Sequence, residues 1–406
     1  MYPDLSYLFN DLFGTQVDNW TSIFKSFGLM LALAFVACSW LLRSELMRLE
    51  KDGLIKPLSV KNNAKAYTMS DLLLNAAVTM IAGAKIPYIF MHFAEFKADP
   101  SSIIFSKLGL WPVGILIGAL MGAYLYFTKY KKQEAAAEEV IIVHPHEKTM
   151  DIIFLAAISG VLGSRLFSIF ENMETFLRDP IGTLFAGSGL TIYGGLILAF
   201  IAVYWYVKKV GIRPIYMMDI AAMGILLGYA IGRIGCQISG DGDWGIVAAP
   251  QPSWWFLPDW IWSYNFPHNV AGEGVPMAGC DVAKFSSLQG SVEDRCEAAC
   301  GMRYCLELPE KVYPTSFYET ILSLTGFGLL WLVRKRIKIT GQLFFLYMIY
   351  NGVERFFIET IRVNEKYNYF GADWSQAQYI SVGFVLVGIL GALYLSRKKP
   401  GWEQQI

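Results

Sequence analysis

The sequence predicts an all-α polytopic membrane protein of about nine transmembrane helices, with the N-terminus outside, a periplasmic loop domain and the C-terminus inside. Three observations predict it. Only 17% of the 406 residues are charged, against about 25% in soluble domains. The missing charges leave long apolar runs, each near the roughly 20 residues that cross a hydrocarbon core of about 30 Å. Basic residues crowd every alternate connection between those runs.

The runs fall at roughly 22–42, 70–92, 110–128, 150–170, 190–208, 216–236, 317–334, 341–361 and 377–396. Within lipid a backbone satisfies its own hydrogen bonds, so the runs are read as helices. Arg43, Arg48, Lys51, Lys56, Lys61 and Lys65 follow the first run, and Lys129, Lys131 and Lys132 the third. Lys208, Lys209 and Arg213 follow the fifth, Arg334, Lys335, Arg336 and Lys338 the seventh, and Arg397, Lys398 and Lys399 the ninth. The positive-inside rule places these connections in the cytoplasm. Met1 to Trp20 is too acidic and irregular for a cleaved leader, so the first run is expected to remain as an anchor.

The expected organisation follows the same punctuation: an N-terminal periplasmic segment 1–21, a first helix 22–43 and a cytoplasmic loop 44–69. A helical pair at 70–129 precedes catalytic helices at 150–245, a periplasmic cysteine-containing insertion at 246–312, closing helices at 313–396 and a cytoplasmic tail at 397–406. Cys280, Cys296, Cys300 and Cys305 share the insertion, and four cysteines in an oxidising compartment suggest two disulfides. Three pairings are open, and a zinc site is the competing reading.

The pair at 70–129 duplicates 150–209. Asp71–Lys129 aligns without gaps on Asp151–Lys209 at an offset of 80, with about a third of positions identical. Each unit is two helices joined by a short outer loop, and an even number of helices keeps both copies in one orientation. The copies differ where chemistry is expected. Arg165, Tyr193 and Gly195 stand in the second, and Lys85, Val113 and Ile115 in the first. The first copy is therefore read as structural.

Arginine near the centre of a membrane helix costs at least about 2.5–3.5 kcal/mol and marks function by default. Arg165, Arg233 and Arg355 each lie some 14 to 17 residues into a helix that begins inside. At 1.5 Å per residue each has risen roughly 20–25 Å. Three cations at one depth in the outer half of the bilayer point to a shared anionic ligand, and arginine matches phosphate with a bidentate fork. A lipid headgroup is the phosphate at that depth. The segment Gly232-Arg-Ile-Gly-Cys-Gln-Ile-Ser-Gly-Asp-Gly-Asp-Trp-Gly245 reads as a helix end opening into a tight polar loop with Asp241 and Asp243. A calcium loop is the weaker alternative, since the remaining ligands of an EF-hand are missing.

This segment resembles the signature of the bacterial prolipoprotein diacylglyceryl transferase family. Gly189-Leu-Thr-Ile-Tyr-Gly-Gly-Leu196, Tyr313-Pro-Thr-Ser-Phe-Tyr-Glu319, Arg355-Phe-Phe-Ile-Glu359 with Arg362, and Gln376-Ala-Gln-Tyr-Ile-Ser381 resemble further blocks in the family's order. The resemblance covers 22–43 and 150–396, interrupted by 246–312. The chain departs from the pattern at Tyr193 and Tyr313, where the family has histidines, at Cys236, where it has asparagine, and at Phe27, where it has tyrosine. None of the four histidines, His92, His144, His146 and His268, falls in a matched block. His144 and His146 are read as solvated loop residues.

The resemblance implies transfer of a diacylglyceryl group from phosphatidylglycerol to the lipobox cysteine thiol of a prolipoprotein signal peptide, at the outer face of the bacterial inner membrane. Arg233, Arg355, Tyr193, Asp241 and Glu359 are the expected catalytic residues. Arg165, Arg233, Gly194, Gly195, Tyr313 and Asn351 are the expected substrate-binding residues. Glu359 lies one helical turn from Arg355 and is read as its orienting partner. No cofactor, metal or nucleic acid is expected. A transporter or lipid flippase is the alternative, because repeats and intramembrane charges are common there.

Overall fold

The computed structural model describes residues 1–62, 68–98, 103, 106–130, 139–180, 183, 191–368 and 371–400. The principal helices are α1 (Leu5–Phe13), α2 (Ser26–Lys51), α3 (Met69–Met91), α4 (Trp111–Leu125), α5 (Thr149–Glu171) and α6 (Ile192–Val210). They continue as α7 (Pro214–Ser239), α8 (Val292–Cys300), α9 (Thr315–Val333), α10 (Gln342–Ile358) and α11 (Gln376–Ser396). Among the described residues, seven helical stretches are long and apolar enough to cross a membrane: α2, α3, Trp111–Tyr130, Pro145–Glu171, α7, α9 and α11. The runs expected at 190–208 and 341–361 form α6 and α10, of 19 and 17 residues. Strands occur among the described residues only as three short antiparallel pairs.

Helix α2 outlasts its apolar run. It continues past residue 43 to Lys51 because Leu46 and Leu49 remain buried while Arg48 and Lys51 sit in its last turn, where cations complement the helix dipole.

The chain divides into two compact units, residues 1–45 with 213–406, and residues 46–212. The first unit packs around Leu41, Ala222, Met223, Leu226, Leu330, Leu343, Tyr347 and Met348, drawn from α2, α7, α9 and α10. Small residues let its helices approach closely. A Cβ at Gly352 of α10 would lie 2.7 Å from the Ser381 carbonyl of α11. Two polar devices fix one end of this bundle. The Arg334 Nε donates to the buried Glu45 at 2.9 Å. Asp219 of α7 accepts from the amides of Gly341 and Phe344 at 2.7 and 3.0 Å, which satisfies donors that the start of α10 would otherwise leave orphaned.

The 246–312 insertion folds on two small cores. One is Trp244, Phe266, Leu308 and Val312. The other is Phe285, Cys296, Cys305 and Leu306. Of the three pairings open to the sequence, the structure holds Cys280–Cys300 and Cys296–Cys305. Buried Asn269 donates to the carbonyls of Phe266, Glu273 and Leu306 at 3.0–3.1 Å and accepts from the Glu273 amide. Residues 1–25 dock on this domain rather than trailing free. Tyr7 Oη accepts from the Tyr304 amide at 3.1 Å, and Asp18 from the Arg303 amide at 2.9 Å.

In the second unit the duplication is geometric. Helix α3 and the short helix Phe93–Ala98 recur 80 residues later as α5 and Met173–Arg178. Both pairs close on glycine: a Cβ at Gly114 would lie 2.4 Å from the Met80 carbonyl, and one at Gly194 the same distance from Phe167 Cβ. In the first copy the Lys85 ammonium is buried and donates to the carbonyls of Ile103 and Ser106 at 2.8 and 2.5 Å.

Mass mapping of the non-reduced protein should recover peptides linking Cys280 to Cys300 and Cys296 to Cys305. Replacing Cys296 and Cys305 together should lower stability by about 2–4 kcal/mol, read as a shift in thermal unfolding.

Candidate functional site

The site forms where three helices of the first unit end or begin. Helix α7 carries Arg233 and stops at Gly240, whose φ of +64° is left-handed and whose amide returns to the Cys236 carbonyl. Gly242, at φ +98°, turns the chain again. These two turns bring Asp243 back onto Arg233.

The following residues are clamped by two other segments. Thr315 and Ser316, at the start of α9, donate their hydroxyls to the Asp243 carbonyl at 2.9 and 2.8 Å. The Gly245 amide donates to the Tyr313 carbonyl and the Ile246 amide to the Ile361 carbonyl, both at 2.9 Å. Only glycine fits at 245, because a Cβ there would lie 2.5 Å from the Ile361 oxygen.

Glu319, one turn into α9, is the centre of the arrangement. Its carboxylate is 1% exposed and faces three guanidiniums. Arg233 pairs with it through Nε, Arg355 of α10 through Nη1 at 2.9 Å, and Arg362 through Nη1 at 3.3 Å. Asp243 bridges Arg233 and Arg362, the latter at 2.7 Å. Glu359 holds the far side of Arg355 at 3.1 Å and accepts from Asn364. Three cations thus meet three carboxylates, which is what burying such charges requires. Burial pushes the Asp243 carboxyl up, but Arg233 and Arg362 outweigh it and hold the carboxyl below its ordinary value. The arginines differ in access: Arg233 is 9% exposed, Arg362 11% and Arg355 29%.

Of the residues singled out in the sequence, Arg233, Arg355 and Glu359 come together here. Asp241 stays beside the cluster, half-buried, accepting the Asp243 amide at 3.3 Å. Both Asp243 oxygens face guanidiniums, which compete with any cation at this loop. Asn351 is half-buried on α10, one turn before Arg355. Tyr313 Oη accepts the Ala249 amide at 3.1 Å, and its ring meets Trp262 edge-on, so it anchors the insertion. Arg165, Gly194 and Gly195 belong to the second unit. Gly194 and Gly195 let α6 lie against α5, since a Cβ at Gly195 would fall 2.3 Å from Ser164 Oγ. The Tyr193 side chain lies outside the described residues.

Sequence reasoning passed over Glu319 and Arg362 as site residues. The available signal was a lone carboxylate inside an apolar helix, costly unless paired, and the Arg355, Glu359, Arg362 spacing, which places three charges along one face. Among the described residues no histidine enters this cluster: His268 Nδ1 meets the Tyr304 carbonyl at 2.8 Å, His92 pairs with Glu95, and His144 and His146 face Glu50.

The family model described as prolipoprotein diacylglyceryl transferase matches residues 20–145 and 128–394. Relatives named phosphatidylglycerol–prolipoprotein diacylglyceryl transferase agree with it. One from Dehalococcoides mccartyi is 28% identical over 305 residues, covering 75% of this chain and 95% of the relative. One from Shouchella clausii is 26% identical over 310 residues, covering 75% and 93%. One from Staphylococcus xylosus is 25% identical over 296 residues, covering 72% and 87%. With most of its length matched, this chain belongs to the prolipoprotein diacylglyceryl transferase family.

Proposed function

We infer that this chain transfers the diacylglyceryl group of phosphatidylglycerol to the cysteine thiol of prolipoproteins, the first step of lipoprotein maturation. The observation that carries the reading is the convergence of Arg233, Arg355 and Arg362 on the buried Glu319, in a multi-pass membrane protein of the matching family.

The reaction is displacement at an sp³ glycerol carbon. A sulfur–carbon bond forms from the lipobox cysteine as the carbon–oxygen bond to phosphate breaks. The electron pair leaves on glycerol phosphate and the thiol proton goes to solvent or a base. No acyl oxyanion develops, so the need is for fixed positive charge at the departing phosphate. Arg355, the most accessible of the three guanidiniums, meets that phosphate first. Arg233 and Arg362 deepen the positive field, and Glu319 and Glu359 hold the guanidinium planes in orientation. The same cations favour thiolate over thiol in the incoming cysteine, whose free pKa is about 8.5. Asp243, held below its ordinary pKa, is a weak base near neutrality and serves to orient Arg233 and Arg362. Asn351, one turn before Arg355 on α10, helps place the headgroup.

In this reading nine helices cross the inner membrane, α2 to α7 and α9 to α11. The N-terminal segment and the disulfide-bonded insertion lie outside and the basic connections inside. The alternation of charge supports that orientation.

Purified protein given phosphatidylglycerol and a lipobox peptide should release glycerol phosphate in proportion to thioether formed. Arg233→Lys keeps the charge but loses the fork, and should cost more than about tenfold in rate, or 1.4 kcal/mol of transition-state stabilisation. A transporter would release no glycerol phosphate.

Glu319→Gln leaves three guanidiniums facing two carboxylates. Breaking a buried pair costs about 3–5 kcal/mol, so thermal stability and transfer should both fall, with Glu319→Asp recovering part of each. Activity unchanged in Glu319→Gln would remove the cluster from the mechanism.

Lys85→Ala should lower stability while leaving transfer per folded molecule nearly intact, because Lys85 is occupied by the carbonyls of Ile103 and Ser106. Arg165→Ala should instead reduce transfer. Equal losses from the two substitutions would contradict the division of labour between the copies.

A further inference from the structure

The second unit holds a polar cluster that the transfer reaction does not use. Glu50 lies in the last turn of α2, and His144 and His146 precede α5. The strands Leu58–Asn62 and Glu139–Val143 pair antiparallel, with Leu58 opposite Val143, which returns the chain to the end of α2. His144, Pro145 and His146 then enter a 3₁₀ turn, Pro145–Lys148. Pro145 is buried and Thr149 Oγ1 donates to the His146 carbonyl at 2.7 Å, so the turn is held in place. The two imidazoles stand side by side, 5.5 Å apart at an interplanar angle of 28°.

Each carboxylate oxygen of Glu50 faces a different imidazole. Oε1 is 2.5 Å from His144 Nδ1 and Oε2 is 3.5 Å from His146 Nδ1. The Glu50 side chain is 16% exposed. His146 Nδ1 is buried and makes no hydrogen bond, an arrangement that leaves a desolvated nitrogen without compensation. A simple glutamate–histidine pair explains His144 alone. It does not explain why a second Nδ1 is buried against the other oxygen of the same carboxylate. The three potential donor atoms lie within 4.8 Å of one another. Donors on a tetrahedral ion at about 2.0–2.2 Å stand roughly 3–3.5 Å apart, so small side-chain shifts bring them to bonding distance.

We propose that Glu50, His144 and His146 bind a first-row divalent transition metal, zinc foremost, which clasps the base of the segment 51–143. Two imidazoles and a carboxylate suit zinc and its neighbours rather than magnesium or calcium, which prefer all-oxygen shells. Three protein ligands leave a fourth position for water. The ion ties the end of α2 to the start of α5, and so closes the long segment that carries α3 and α4. A clip closing so long a loop removes much chain freedom. The site lies wholly within the second unit and outside the arginine cluster, so its occupancy is separable from the transfer chemistry.

The test uses untagged full-length protein in detergent micelles, with zinc partitioned against a chromophoric chelator. Wild type should take up one zinc per chain and show a higher unfolding temperature when loaded. Glu50→Gln, His144→Ala and His146→Ala should each weaken binding by at least about a hundredfold, beyond the 10–100-fold typical of removing a supporting group. His144→Gln and His146→Gln, closer in volume, serve if an alanine variant is not monodisperse. X-ray absorption at the zinc edge of the loaded wild type should show nitrogen and oxygen neighbours with imidazole scattering. The proposal is overturned if wild type binds zinc no tighter than the double variant His144→Ala/His146→Ala, or if the edge spectrum shows sulfur ligands.

Discussion

The Glu319 carboxylate is the constraint on which the clustered end of the first unit depends. A buried anion is tolerated only with cations at contact, and a buried guanidinium only with acceptors. Satisfying Glu319 therefore fixes Arg233, Arg355 and Arg362 together, and with them the ends of α7 and α10 relative to the start of α9. The remaining valences of those arginines require Asp243 and Glu359 in turn. The outcome is a balanced network of three guanidiniums and three carboxylates. Arg355 keeps an exposed edge because its partners occupy only part of its fork.

Backbone requirements follow from this. Asp243 reaches Arg233 only if α7 ends sharply, so Gly240 and Gly242 take conformations that other residues resist. The loop then passes close to Ile361, which excludes a side chain at Gly245. The glycines of the signature are thus consequences of the ion-pair geometry. The hydroxyls of Thr315 and Ser316 complete the same accounting by covering the Asp243 carbonyl.

Much of this was legible in the sequence, and its limits are physical. Hydropathy marks the helices because lipid imposes one dominant requirement on every residue that crosses it. The duplication is visible as an offset and returns as equal helix limits in α3 and α5. Arg233, Arg355 and Glu359 stand out because charge in an apolar run is costly. Glu319 does not, because its importance lies in partners 36 and 43 residues away, a separation with no local period. Disulfide pairing is hidden for the same reason. The prolonged α2 escapes hydropathy since its last turns mix buried leucines with charge. His144 and His146 read as solvated residues because the strand pairing that carries them to Glu50 joins segments some eighty residues apart.

The duplicated pairs share one scaffold and differ at the cationic position. Both copies close helix on helix through glycine at equivalent places, Gly114 and Gly194. Packing is therefore retained independently of chemistry. At the equivalent cationic position the first copy has Lys85, whose compact ammonium is fully used by two carbonyls and the Ser106 hydroxyl. The second has Arg165. An ammonium with its three donors committed to the protein has none left for a ligand. The Lys85 cation thus serves packing in the first copy, since a buried cation without acceptors would be the least stable arrangement.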